Sequence, residues 1–465
     1  MPIQTINPYT NELVKSFEEL TDDQLEEKIA KAHEAYLIWK TTTISQRREL
    51  LLNVARIFRE RKTELSRLIT IEMGKLIAQS ESEVEMVASV FEYYANNAEE
   101  FLKDRPLPIK DGSAFIRLAP IGIILGVEPW NYPFNQVARL VAPNVMAGNV
   151  VMIKHASNVP QCAEAIEGVF RDAGAPQGVY TNLFLAGKRI SKLGEDARIA
   201  GMSLTGSEAA GSSLGESAGR NLKKSVLELG GSDAFIVLDD ADIDLAVEKA
   251  YLGRFSNMGQ ACTSAKRLIV MEAVADEFIG KLQHKLSGLK VGDPLDPETE
   301  IGPLSTEDAV KKLDEQVKAT IAAGARALVG GKRMEREGAF YEFTILTDIT
   351  PEMVAYKEEL FGPVASFYRV ISEKEAIDLA NDTGFGLGGT VFSKNTERAI
   401  KIASQMETGM IFINENLASR PDLPFGGVKR SGYGRELSAL GIEEFVNKKL
   451  IRIASAPSDQ DDVVE

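Results

Sequence analysis

From about residue 115 the chain alternates short apolar runs with helical segments, and this alternation restricts its fold more than any other feature. "IGIILGV" is followed by "YPFNQVARLV", "NVVMIK" by "VPQCAEAIEGVFRDAG", and "IAGMSLTG" by "EAAGSSLGESAG". Strand–helix alternation of this kind predicts βαβ units and a parallel sheet. A second series starts near "AFIVLDDADIDLAVEKA" and runs past 400 through "KRLIVME", "EFIGKLQHKLSGL", "ASFYRV" and "EAIDLAND". The Gly-Gly of "ELGGSD", near residue 230, separates the two series.

A chain of 465 residues is too long for one core. The pattern predicts one domain over 1–230, with a helical N-terminal part, and a second over 231–435. In the helical part, "TDDQLEEKIAKAHEAYLIWK" sets Leu25, Ile29, Ala32, Tyr36 and Trp39 on one stripe. Leu50, Val54, Ile57, Leu65, Leu68 and Ile69 continue the helical period beyond it. His33 lies off the stripe and is expected at the surface. The acidic tail "SAPSDQDDVVE" is expected to be disordered.

Several function classes are disfavoured. A net charge of −15 is the wrong sign for a phosphate backbone, so no nucleic-acid partner is expected. "MPIQTINPYTNELVKSF" lacks the pattern of a signal peptide, and no apolar segment approaches the length of a membrane span. Cys162 and Cys262 have no metal-ligand spacing, and His33, His155 and His284 are the only histidines. A cytoplasmic chain with no metal site and no membrane partner is expected.

The two cysteines read differently. Cys162 falls in step with Ile166, Val169 and Phe170 on a predicted helix, as a buried core thiol does. Cys262 sits in "NMGQACTS", a polar turn-like stretch in which Gly259 permits a tight bend. It is either a nucleophile or a quiet structural thiol. A Cys–His hydrolase is one way to use it, and its base would have to be His155.

Other stretches supply matching parts. In "EPWNYPFNQVAR", Asn131 stands before Pro133, which can take the first position of a helix. Its amide either donates to a developing oxyanion or caps that helix. "MSLTGSEAAG" reads as strand, turn and helix start, a place for a phosphate at Gly206 and Ser207. Glu228, at a strand end in "SVLELGGSDAFIV", is either a base or a solvated carboxylate. Lys154 ends the strand of "VMIKHASN", where a cation can meet a ribose or phosphate, and Glu359 and Phe361 precede Gly-Pro in "YKEELFGPVASF". The glycines of "TGFGLGG" precede the strand "TVFS", so no dinucleotide loop is expected there.

"PWNYPF", "LTGSEAAG", "LELGG", "GQAC", "EELFGPV" and "PFGGVKRSGYGREL" occur in this order over most of the chain. Together they resemble the aldehyde dehydrogenase superfamily, and most closely the bacterial succinate-semialdehyde dehydrogenases. The resemblance implies an α/β fold with three parts. These are a Rossmann-like dinucleotide-binding domain, an α/β catalytic domain and a small β oligomerisation element from 105–120 and 440–458. It also implies a homodimer or homotetramer. It gives Cys262 the part of nucleophile, Asn131 that of oxyanion donor and Glu228 that of general base. Gly206 and Ser207 fall under the cofactor pyrophosphate, Lys154 at the adenosine ribose, and Glu359 at the nicotinamide ribose. Phe361 and Trp130 line the nicotinamide cleft. "LAGKRISKLGEDARIAG" is poorer in glycine than its counterpart in relatives and contributes no site residue.

The implied reaction takes a small aldehyde to its carboxylic acid through a thiohemiacetal and a thioester, with succinate semialdehyde as the leading substrate. Another short-chain or semialdehyde dehydrogenase is the first alternative, followed by a CoA-acylating relative and a non-catalytic member of the same fold. NAD-preferring relatives often carry Glu where this chain has Ser157, so NADP is expected in preference to NAD. His155 replaces a proline common among relatives. Ser264 stands where some relatives have a second cysteine, so no local disulfide switch is expected. For the far carboxylate of a semialdehyde, Arg139, Ser419 and the adjacent Arg420 match substrate-contacting positions. For Arg139 a structural or interface salt bridge is the other reading.

Overall fold

The computed structural model describes residues 2–455. All but the first residue of the acidic tail, and positions 456–458 of the expected oligomerisation element, lie outside the described residues.

The first strand–helix series folds into a six-stranded sheet. Its order is Gly432–Tyr433, Lys224–Glu228, Ile199–Thr205, Ile123–Glu128, Val150–His155 and Tyr180–Asn182. The last five run parallel. Gly432–Tyr433 returns from far along the chain to pair antiparallel, Gly432 opposite Glu228. The central strand is buried on both faces, which is why it reads as a continuous apolar run. Helix Asn135–Ala147 is buried over its whole length, between this sheet and helices Ile44–Glu60 and Ile77–Phe101.

The N-terminal region forms helices Asp22–Trp39, Ile44–Glu60, Lys62–Met73 and Ile77–Phe101. Thr21 with Gln24, and Thr43 with Gln46, close capping boxes at the first two. Ile29, Ala32 and Trp39 are buried on the predicted stripe, and His33 is half-buried at its flank rather than fully exposed. Cys162 is fully buried, as its helical phase requires.

The second series forms a seven-stranded sheet. Its order is Arg326–Val329, Thr344–Thr347, Val364–Val370, Arg267–Met271, Ala234–Val237, Gly388–Phe392 and Met410–Ile413. Only the edge strand Arg326–Val329 is antiparallel. A third, antiparallel sheet joins Arg105–Leu107, Ser113–Pro120 and Val446–Ile453. Among the described residues, no helix is long and apolar enough to cross a membrane. The carboxyl ends of the first sheet face the turn that enters Arg267–Met271 of the second. Open parallel sheets bind ligands in such a place.

Candidate active site

The segment carrying Cys262 is held in an unusual backbone conformation. Asn257, Met258 and Gly259 take φ values of 52°, 54° and 67° in succession. The left-handed region costs a residue with a Cβ roughly 1–2 kcal/mol. A Cβ on Gly259 would lie 2.4 Å from the Gly362 carbonyl oxygen, so glycine is required for close approach as well as for φ. The fully buried Arg254 compensates. It donates to the carbonyls of Gly259 (3.3 Å), Leu360 (3.0 Å) and Val364 (2.8 Å), tying the thiol loop to the Glu359–Phe361 loop.

Asn131 is cross-linked to the same loop. Its side-chain amide donates to the Gln260 carbonyl at 3.0 Å, and the Asn257 amide donates to the Asn131 carbonyl at 3.0 Å. Asn131 therefore does not cap the helix after it. Nor does Pro133 take the first helical position, because the helix begins two residues later, at Asn135. The Glu83 carboxylate occupies the helix start instead, accepting from the N–H groups of Phe134 (3.0 Å) and Asn135 (3.1 Å). Glu83 is itself paired with the buried Lys75, whose ammonium sits 3.6 Å from the centroid of the Tyr132 ring. A helix N-terminus favours a carboxylate, and here the capping group comes from a distant helix, which local sequence does not reveal.

A cleft of about 540 Å³ brings together Trp130, Asn131, Gly206, Ser207, Cys262, Glu359 and Phe361. Trp130 and Phe361 meet edge to face at 5.7 Å. Ser207 caps helix Glu208–Arg220, its hydroxyl accepting from Ala210 N–H, and Ser207, Glu208 and Ala209 line the cleft at that helix start. Gly230 lies on the floor, where a Cβ would come within 2.5 Å of Glu359 Oε2 and 3.2 Å of the Phe385 ring. These features fit a dinucleotide: a helix start, where an anion is favoured, a carboxylate and an aromatic pair on one cleft. Gly230→Ala is expected to raise the cofactor KM roughly tenfold, consistent with an overpacking cost of about 1–3 kcal/mol, with kcat changed far less. Initial rates over a cofactor series check this.

Lys154 and Ser157 are not on this wall. Lys154 lies one strand over, with Lys154 opposite Val127. It is half-buried without an ion-pair partner among the described residues, and burial pushes its ammonium pKa down. Ser157 follows in the next turn, its carbonyl accepting from Gln4 N–H at 3.0 Å. His155 is buried against the Pro133 carbonyl at 3.1 Å, and burial pushes it down to about 4. It is not on the cleft wall that carries Cys262, which removes the base that a Cys–His hydrolase would need.

Glu228 ends its strand fully enclosed, directly before the cleft residues Leu229 and Gly230. Neither carboxylate oxygen has a hydrogen-bond partner among the described residues. Burial pushes its pKa well above the usual carboxylate range, Glu436 pushes it further, and Arg139 and Arg435 oppose. A Cβ on Gly426 would lie 2.7 Å from Glu228 Oε1 and 2.8 Å from the Gly434 carbonyl oxygen, and the backbone contact requires glycine there. The Cys262 thiol is half-buried, and burial pushes it up to about 12. Lys266 and Arg139 act against that.

The residues expected at the substrate end are placed unevenly. Arg139 is 2% exposed and paired with the buried Glu436, its guanidinium 3.8 Å from the centroid of the Phe425 ring. Its field reaches both Cys262 and Glu228. Ser419 has a buried hydroxyl with no partner among the described residues. Arg420 is exposed and folds back onto Asp422 (2.8 Å). Sequence reading missed Arg254, Lys266, Glu83 and Glu436. The nearest available signal is "KRLIVM", where two cations directly precede an apolar strand.

The model of the aldehyde dehydrogenase family matches residues 1–451. The succinate-semialdehyde dehydrogenase (NADP(+)) of Deinococcus radiodurans is 50% identical over 451 residues, 97% of this chain and 94% of that one. A protein of Mycobacterium tuberculosis, succinate-semialdehyde dehydrogenase (NADP(+)) 1, is 45% identical over 98% of this chain and 100% of its own length. Among solved structures, the succinic semialdehyde dehydrogenase from Streptococcus pyogenes in complex with NADP+ superposes with a TM-score of 0.96. It is 44% identical, covering 97% of this chain and 100% of that one.

Proposed function

The chain belongs to the aldehyde dehydrogenase family, and from that premise we propose that it oxidises succinate semialdehyde to succinate with NADP preferred over NAD. As an NAD(P)-dependent aldehyde dehydrogenase it must make an aldehyde carbon give up hydride, which a trigonal carbonyl does not do readily. Attack by the Cys262 thiolate makes the carbon tetrahedral and moves its charge onto oxygen. Asn131 meets that charge. One N–H of its amide is fixed to the Gln260 carbonyl, which orients the other as a donor. A nicotinamide held by Glu359, Phe361 and Trp130 would supply the hydride acceptor, and loss of hydride from the adduct carbon leaves a thioester on Cys262. Glu228 then takes a proton from water, the water oxygen adds to the thioester carbon, and the Cys262 thiolate leaves.

Glu359, Phe361, Trp130, Gly206 and Ser207 would hold the nicotinamide and pyrophosphate parts of the cofactor, with Lys154 and Ser157 at its adenosine end. Ser157 adds no negative charge against a 2′-phosphate, which supports NADP. At the far end of the substrate, the Ser419 hydroxyl, buried with no partner among the described residues, would serve a carboxylate, and Arg139 is the cation proposed to act with it. A guanidinium has five donors, and Glu436 engages only its Nε and Nη2 sides. Arg420, tied to Asp422 at the surface, contributes at most at the entrance. We further propose a cytoplasmic dimer or tetramer built through the edge strand Val446–Ile453, which exposes Leu450 and Ile453.

The observation that carries the reading is the linkage of Asn131 to the thiol loop on the wall of a cleft with an anion-binding helix start. The test is a panel of short aldehydes with NAD and NADP, with and without CoA, followed by absorbance of the reduced nicotinamide. The highest kcat/KM is expected for succinate semialdehyde with NADP, with no acceleration by CoA. CoA-dependent turnover would make this a CoA-acylating enzyme, and no reduction with any aldehyde would leave the fold without the chemistry.

A further inference from the structure

We propose that Lys266 is a positioning residue whose ammonium is shared between the Cys262 loop and Glu359, setting thiol reactivity and presenting Glu359 to the cofactor ribose. This rests on the reading of Cys262 as nucleophile and of Glu359 as ribose acceptor.

Lys266 is 3% exposed. Its Nζ donates to the carbonyls of Ala261 (2.9 Å) and Cys262 (2.7 Å) and forms an ion pair with Glu359 Oε1 at 3.0 Å. An ammonium has three donors, and these three acceptors use them all. The buried cation is therefore held at one point, between the peptide of the thiol and the carboxylate on the opposite wall. Glu359 Oε1 also accepts from Gly231 N–H at 3.2 Å. Its Oε2 faces Gly230 on the cleft floor. Lysine thus occupies one carboxylate oxygen and turns the other toward the place of the ribose. Gly231 belongs to the same unit, since a Cβ there would lie 2.6 Å from the Cys262 carbonyl oxygen.

Four charged groups bear on the thiol, and they oppose one another. Lys266 and Arg139 favour the thiolate, whereas Glu359 and Asp233 disfavour it. Arg139 is already engaged by Glu436, and Asp233 accepts from Gly388 N–H at 3.1 Å. Lys266 and Glu359 are the two of these groups that pair directly with each other, and they act on Cys262 with opposite sign. Only the thiolate is nucleophilic, so alkylation reports that sign directly.

The test measures the second-order rate of Cys262 alkylation by iodoacetamide in the full chain without cofactor, over a pH series below the thiol midpoint. One pKa unit is a tenfold change in thiolate. Lys266→Gln, which keeps hydrogen-bonding groups and loses the charge, should slow alkylation roughly tenfold at every pH. Glu359→Gln should speed it several-fold, and Lys266→Arg should restore most of the rate lost in Lys266→Gln. Lys266→Gln should also raise the cofactor KM, because Glu359 loses its anchor. A loosened loop would move both neutralising variants in one direction, so opposite signs support the proposal. Equal signs, or no change in either, overturn it. If Lys266→Gln fails to fold by circular dichroism, acceleration in Glu359→Gln still supports the charge balance, and its absence overturns it. Labelling of Cys262 in the unaltered protein with full retention of activity would instead overturn the nucleophile reading on which the proposal stands.

Discussion

Cys262→Ala is expected to abolish aldehyde oxidation, lowering kcat by about 10⁴-fold or more, as loss of a covalent nucleophile does in other enzymes. The fold and the cofactor cleft should persist. The backbone at this position is set by the left-handed run of Asn257 to Gly259 and by the carbonyl contacts of Arg254 and Lys266, none of which uses the sulfur. Cofactor titration followed by fluorescence should therefore give a Kd close to that of the unaltered chain. The chain supplies its own control in Cys162, which is fully buried in a helix. Cys162→Ala should keep turnover, so that loss of activity maps to one thiol and not to thiols in general. Retention of substantial oxidation by Cys262→Ala would remove the thioester route.

Much of the layout is legible before any coordinates because its signals are local. A strand buried on both faces must be apolar along its length, and the helix that returns from it must carry a stripe, so "IGIILGV" and "CAEAIEGVF" announce themselves. The setting of Cys262 is also local, since Gly259 and its polar neighbours mark a tight turn. The supports of the site are not local. Arg254 reaches carbonyls more than 100 residues away, and Glu83 caps a helix 52 residues downstream. No periodicity encodes such pairs, and a buried arginine in a helix reads like any surface cation. Pro133 shows the converse. Its conformational preference allows a helix start, but the Glu83 carboxylate fixes the start at Asn135. The salt bridge that is one of the two readings of Arg139 is of the same kind, because its partner Glu436 lies 297 residues away.

Glu228→Gln should separate the two halves of the reaction. Acylation uses the thiol and the amide, and only the release of acid needs a base. The variant should give a rapid burst of reduced cofactor of about one equivalent per active site, then a steady state slower by roughly 10²–10⁴-fold. Stopped-flow absorbance resolves both phases. Glutamine is well suited to the test because the enclosed acid is already pushed toward its neutral form by burial and by Glu436, so the fold loses no paired charge. The same enclosure fixes the sign of the pH dependence. The base form is the carboxylate, and its pKa is raised. In the unaltered protein, deacylation should therefore climb with pH up to the raised pKa and level off above it. In Glu228→Gln that climb should disappear. Hydroxylamine, which attacks a thioester without needing a base, should restore turnover to the variant. Turnover in the variant equal to that of the unaltered chain, with the same pH profile, would take the base role from Glu228. Slow turnover without a burst, or without rescue, would place its contribution in acylation instead.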